Sequence, residues 1–262
     1  MMERTNNFLV WLKGVWNFIL MDLLEFLRSP AQIIGTLMAP IIMITSFGIG
    51  TSIPTSVGMN PGLNVNSYFE FVAPGIMLIG IMFGTTMGIG NSILLDKRKR
   101  ITEDVITSSM PYSAFIISRY LSMLLKSLLQ FLVILITAML FFKLRVENIA
   151  MLLVAASAAV IFFTGVGVWL AAFTDEITFA GLSNLLLIPL FYFSGIFFPI
   201  ENFGALGNVV QYLPSSMQLS ILRYSIIGIR PDNLLLVFTL TILLSILMIV
   251  LPGHALKSSI KK

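Results

Sequence analysis

The stretch IAMLLVAASAAVIFFTGVGVWLAAF, Ile149–Phe173, contains no charged residue. A helix needs about 20 apolar residues to cross a hydrocarbon core of roughly 30 Å, so this run predicts a membrane-spanning α-helix. Composition extends that reading to the whole chain. Of 262 residues, 57% are hydrophobic and only 11% charged, with a mean hydropathy of +0.97. That is too little charge to cover the surface of a water-soluble domain of this size. The fold class is all-α and polytopic in the membrane.

Outward from that run, further spans are predicted over 31–53, 72–95, 120–142, 178–198 and 234–251, six in all. An even number places both termini on one side, and basic residues choose which. Arg4, Lys13 and Arg28 precede the first span. Lys97, Arg98, Lys99, Arg100 and Arg119 lie between the second and third, and Lys257, Lys261 and Lys262 follow the sixth. The opposite side holds Lys143, Arg145, Arg223 and Arg230. The expectation is a multi-pass protein of a prokaryotic inner membrane with cytoplasmic termini. It divides into a tail and interfacial helix (1–30), a six-span domain (31–252) and a basic tail (253–262).

The segment 8–28, FLVWLKGVWNFILMDLLEFLR, invites reading as a signal peptide or a seventh span. It lacks a small-residue cleavage site, and a span would bury Lys13, Asp22 and Glu25 at high cost. At 100° per residue Lys13, Asn17, Glu25 and Arg28 gather within about a third of the circle, with Asp22 further round. Trp11, Trp16, Phe18, Leu20, Leu23 and Leu27 fill the rest. This predicts an amphipathic helix lying in the membrane interface, followed by a turn at Arg28-Ser29-Pro30 and a new helix.

Between the second and third spans runs LLDKRKRITEDVITSSMPYSAFIISRY, residues 94–120. Its four consecutive basic residues stop the second span at the membrane surface. Thr102 suits a helix cap, Glu103 and Asp104 suit the positive end of the helix dipole, and Ser113 suits the cap after Pro111. A short capped helix here is either a solvated connector or a docking surface for a soluble partner.

Autonomous chemistry has little to work with. Cysteine is absent and His254 is the single histidine, which removes disulfides and thiolate or histidine-clustered metal sites. There is no G-x-x-x-x-G-K-[ST] phosphate loop, no G-x-S-x-G elbow and no H-E-x-x-H. Within the predicted spans Lys126 is the only basic group, and carboxylate pairs for a proton relay are missing. The pattern points to a pathway without fixed charge, powered from elsewhere, and offers nothing for nucleic acid.

Four stretches occur in a familiar order: EFLRSPAQIIGTLMAPIIMITSFG (25–48), YFEFVAPGIMLIG (68–80), DKRKRITEDVITSSMP (96–111), and SNLLLIPLFYFSGIFFPIENF (183–203) leading into VVQYLPSSMQLSILR (209–223). Together they resemble the membrane subunits of type-2 ABC exporters, the class of daunorubicin-type drug permeases, nodulation-factor permeases and polysaccharide exporters. The resemblance runs over residues 24–223. Asp96, Thr102, Glu103 and Pro111 fill the family's places in the loop, while Ile101 stands where glycine is usual.

The resemblance implies a permease without a bound cofactor, ATP and Mg being held by a separate ABC ATPase. Two permease copies would pair with two ATPases in the lipid bilayer. The ATPase would dock at Asp96, Thr102, Glu103, Asp104 and Pro111. A re-entrant hairpin would dip back from the outer face after the fifth span. Ser194, Gly195, Phe197, Phe198 and Pro199 would form its start and an apolar plug; otherwise the two phenylalanines are an aromatic belt before an ordinary loop. Thr36, Thr45, Ser46, Thr85, Thr86, Asn91 and Asn184 are polar candidates for lining the pathway between the first, second and fifth spans. The same residues also suit interhelical hydrogen bonding. The expected substrate is amphipathic, drug-like or lipid-like. Lipid-linked polysaccharide export, a stand-alone channel or scramblase, and a membrane enzyme or scaffold are the alternatives.

Overall fold

The computed structural model describes residues 2–50, 68–101, 105 and 111–260. Among them the chain is helical and contains no strand. The order is α1 (Met2–Arg28), α2 (Pro30–Gly50), α3 (Tyr68–Arg98), α4 (Tyr112–Phe142), α5 (Ile149–Phe173) and α6 (Glu176–Phe193). A 3-10 turn (Ile200–Leu206), α7 (Gly207–Val210), α8 (Pro214–Ile227) and α9 (Leu234–Ile260) follow. Six of these helices, α2 to α6 and α9, are long and apolar enough to cross a membrane.

The second and sixth spans run longer than expected, to Arg98 and Ile260, and two further boundary differences bear on the site. The fifth span ends at Phe193, because Gly195 at φ +78° turns the chain away from the helix. The third begins at Tyr112, which carries Arg119 inside α4 instead of leaving it in the loop. Ser113 does not cap that helix. Pro111 stands at its N-cap, and the Ser113 hydroxyl accepts from Trp11 Nε1 at 3.3 Å, joining α1 to α4.

Helices α3 and α5 form the centre, with small residues allowing close backbone approach. A Cβ added at Gly167 of α5 would stand 2.6 Å from the Thr86 carbonyl oxygen of α3. At the same crossing the Thr86 hydroxyl donates to the Phe163 carbonyl at 3.1 Å. On the far side of α5, a Cβ at Gly165 would lie 2.2 Å from the Met248 carbonyl oxygen of α9, and Ser245 donates to the Ala158 carbonyl at 2.9 Å.

The bundle has two distinct ends. At the basic end, the Lys97 ammonium donates to the Ala171 and Ala172 carbonyls at 2.6 and 2.8 Å, satisfying the last turn of α5. Arg98 pairs with Glu176 at 2.5 Å. Asp175 caps α6, and hydrogen bonds from the Thr178 hydroxyl and backbone N–H hold its carboxyl below the usual range. At the hairpin end, left-handed Lys143 closes α4 and Asn148 caps α5. Short α8 is buried on nearly every face among α3, α5 and α9.

The close crossings set a test. Gly165→Val and Gly167→Val each drive a side chain into backbone, and overpacking of this kind costs about 1–3 kcal/mol or more. Each should lower the thermal midpoint of the purified protein in detergent. Gly35→Val, where an added Cβ meets nothing within 4 Å, should leave it unchanged.

Candidate functional site

Helices α2, α3 and α4, with the last turns of α1, enclose a cavity of about 740 Å³. One wall is a stripe on α3, Gly80, Gly84, Gly88 and Asn91, at the three- and four-residue spacing of a helix face. Missing side chains make much of the space. A Cβ at Gly84 would find only Gln130 Oε1, at 3.7 Å. Toward the hairpin end the walls are apolar: Pro40, Met43, Ile79 and Phe83. Toward the basic end they carry Asp22, Glu25, Asp96, Lys99, Arg119 and Lys126.

The centre of the charged end is Arg119. One terminal nitrogen donates to Asp22 at 2.5 Å and to Ser92 Oγ at 3.2 Å, and the other donates to Asp96. All three ionic side chains are buried, at 3 to 5% exposure. The guanidinium also lies 5.2 Å from the Phe115 ring centroid. Asp22 reaches it because Val15, Ile19, Asp22 and Phe26 share one buried stripe of α1, seated on α4. The two carboxylates together exceed the charge of one guanidinium, and a buried excess is costly. Lys126, two turns along α4, brings the compensating charge. Its ammonium stands 5.8 Å from the Phe26 ring centroid and joins no ion pair among the described residues. Buried Arg119 Nε and Ser122 Oγ have no hydrogen-bond partner among them either.

Arg119 thus joins Lys126 as a basic group within a spanning helix, where the sequence predicts Lys126 alone, and the cavity carries fixed charge. Asp96, expected at the surface of the loop, is turned inward onto Arg119. Thr102, Glu103 and Asp104 lie outside the described residues, and Pro111 begins α4. Thr36 and Asn91 line the cavity, and Thr36 accepts from Gln130 Nε2 at 2.6 Å. Thr45 and Thr85 return their hydroxyls to the Ile41 and Ile81 carbonyls at 2.8 and 2.7 Å, and like Thr86 they stand off the cavity wall. Asn184 and Ser46 are exposed on α6 and α2.

At the hairpin end a second arginine organises the chain. Arg223, counted in the sequence among the cations opposite the termini, is buried in α8. It donates to the Phe71, Gly195 and Ile196 carbonyls at 3.3, 2.7 and 3.1 Å, and its guanidinium stacks 3.7 Å from the Phe71 ring centroid. The bonds to Gly195 and Ile196 satisfy carbonyls that the turn after α6 leaves without a helical partner, and the bond to Phe71 ties that turn to α3. Gly195 is required there, since a Cβ would meet Ile200 at 2.6 Å and the φ is left-handed. Ile196 is buried on Gly75 of α3, where a Cβ would clash with it. Phe197 packs against Phe47 and Phe191 at 5.6 and 5.4 Å, and its carbonyl accepts from the Tyr68 hydroxyl at 3.0 Å. Phe198 is exposed, Ser194 donates to the Phe191 carbonyl at 2.9 Å, and Pro199 starts the 3-10 turn.

Residues 15–230 match the family model described as ABC-2 type transporter. That interval takes in the cavity, Arg119 and the Arg223-pinned turn. No curated protein matches the chain.

The Arg119 cluster makes a separable forecast. Arg119→Leu strands two buried carboxylates, and breaking a buried pair costs about 3–5 kcal/mol. Adding Asp22→Asn and Asp96→Asn removes the stranded charges. The triple variant should therefore melt well above the single one in detergent. A triple variant no more stable than Arg119→Leu would show that the ion pairs do not seat α1.

Proposed function

The chain belongs to the ABC-2 type transporter family, and from that premise we propose that it is the permease half of an ATP-driven exporter of amphipathic, drug-like or lipid-like molecules. It is a multi-pass membrane protein, and permeases of this family work with a separate ATPase subunit. The observation that carries the substrate reading is the cavity, charged at one end and apolar at the other. Its volume of about 740 Å³ falls in the range of sites for drug-sized ligands, roughly 300–1,000 Å³. That size suits one drug or lipid better than a glycan chain.

In this reading the basic end faces the cytoplasm of a prokaryotic cell, following the distribution of Lys and Arg. The ATPase docks on the loop after α3, through Glu103 and Asp104. Two permease copies meet along spans that a single copy leaves uncovered. In support, Leu185 and Tyr192 of α6 are 70% and 61% exposed, next to polar Asn184. The segment from Ser194 to α8 is a re-entrant hairpin at the outer face, with Phe197 and Phe198 as its apolar plug. Substrate enters from the cytoplasm or inner leaflet at the charged end and leaves past the plug.

Two experiments test the reading. Glu103→Lys with Asp104→Lys should leave membrane insertion intact while abolishing co-purification of the ATPase or its substrate-stimulated hydrolysis in lipid. Normal association and coupled transport would make the loop a connector. Phe197→Ala with Phe198→Ala should raise substrate leak without ATP, since a phenylalanine packed as Phe197 is covers about 150–250 Å². An unchanged leak in an assembled double variant would remove the plug and leave an aromatic belt.

A further inference from the structure

We propose that the cavity between α1, α2, α3 and α4 binds one amphipath with a zwitterionic head, an ammonium and a phosphate close together, in each protomer. The charges around the cavity fall into three groups. Asp22, Asp96 and Arg119 are bound to one another. Lys99 stands beyond the last turn of α3, exposed at the rim. Glu25 of α1, exposed at the cavity mouth, and half-buried Lys126 of α4 remain, of opposite sign. Neither joins an ion pair among the described residues, and both line the cavity.

A head of single charge suits this arrangement badly. An anion drawn to Lys126 meets Glu25 and the net negative charge of the Asp22–Asp96–Arg119 cluster, and a cation drawn to Glu25 meets Lys126. A zwitterion answers both, with its phosphate toward Lys126 and its ammonium toward Glu25. A second observation marks the phosphate side. Ser122, one turn from Lys126 on the same face of α4, is 1% exposed and lines the cavity, and its hydroxyl has no partner among the described residues. A buried donor without an acceptor is costly unless something fills the role, and a phosphate oxygen does. The tail then lies along the apolar walls at Met43, Ile79 and Phe83.

This inference rests on reading the cavity as the uptake site, but its test needs neither ATP nor the ATPase. The full-length permease, stripped of lipid in a non-ionic detergent, is titrated by native mass spectrometry with three amphipaths of matched tails. These are phosphatidylethanolamine, phosphatidylglycerol and a dialkyldimethylammonium. One charge-assisted contact is worth about a tenfold change in binding. Phosphatidylethanolamine should therefore saturate at one molecule per protomer at roughly tenfold lower concentration than either singly charged probe. Glu25→Gln should abolish the preference over phosphatidylglycerol, and Lys126→Gln should abolish the preference over the ammonium probe. Gly84→Leu and Gly35→Leu, which fill the cavity from opposite walls, should remove the saturable adduct in protein that stays monodisperse.

Equal titration of the three probes, or none bound, overturns the assignment. So does a phosphatidylethanolamine adduct that survives both cavity-filling variants, or a preference that survives Glu25→Gln. A permease that binds phosphatidylethanolamine as expected but recruits no ATPase leaves this inference standing and removes the exporter reading instead.

Discussion

A guanidinium held in an apolar bundle has to be met by opposite charge or drawn out to water, because an uncompensated ion there is among the most expensive groups a membrane protein can carry. Arg119 is met twice, by Asp22 of α1 and Asp96 of α3. That one side chain therefore sets the relative placement of three helices. It fixes α1, whose apolar stripe of Val15, Ile19 and Phe26 would otherwise slide along α4 with little penalty, since apolar contact has no register of its own. It also makes one end of the adjacent cavity polar. The other end is left apolar by default, and the amphipathic character of the site follows.

The hairpin end solves a different problem with the same residue type. After α6 the chain stops being helical while still buried, and carbonyls there need donors from elsewhere. A planar guanidinium can serve several acceptors at once. Arg223 does so for Gly195 and Ile196, and binds the Phe71 carbonyl of α3 as well, with its face on the Phe71 ring. A lysine would bring a compact charge without that planar stacking surface. Gly195 and Gly75 complete the turn by omission, one by its left-handed backbone and the other by giving Ile196 a seat.

The six spans were legible because each is an apolar run long enough to cross a bilayer, and that signal needs no tertiary information. The charged end of the cavity was not. Arg119 follows a basic run and was counted with it. Only the early start of α4, set by packing against α1, carries it into the bundle. One sign was visible in advance: Asp22 falls off the polar face of α1, where an interfacial helix has no use for a carboxylate. Arg119 and Lys126, seven residues apart on one helix face, were a second sign. Arg223 gave less warning, since a cation near the end of a loop ordinarily faces water. The cavity itself could not be read from the chain. It is made by what Gly35 and Gly84 lack, and glycines just as prominent in sequence, Gly165 and Gly167, are filled by neighbouring backbone.

The connectivity gives this arrangement a mechanical consequence. Helix α3 carries the cavity stripe, then Asp96, then the basic end, without a break in the helix between Tyr68 and Arg98. Helix α4 begins just beyond the loop and presents Arg119, Ser122 and Lys126 to the same cavity. A displacement of the loop is thus delivered to the charged end by two continuous helices and has little slack to absorb it. Because Arg119 of α4 binds both α1 and α3, moving either against α4 would stretch one of its two ion pairs. The groups nearest the cavity, Glu25 and Lys126, must then shift with respect to each other. In an exporter driven from that loop, the same movement that brings power in would alter the site's grip on a zwitterionic head, coupling release to the work done on the loop without any nucleotide chemistry in the chain.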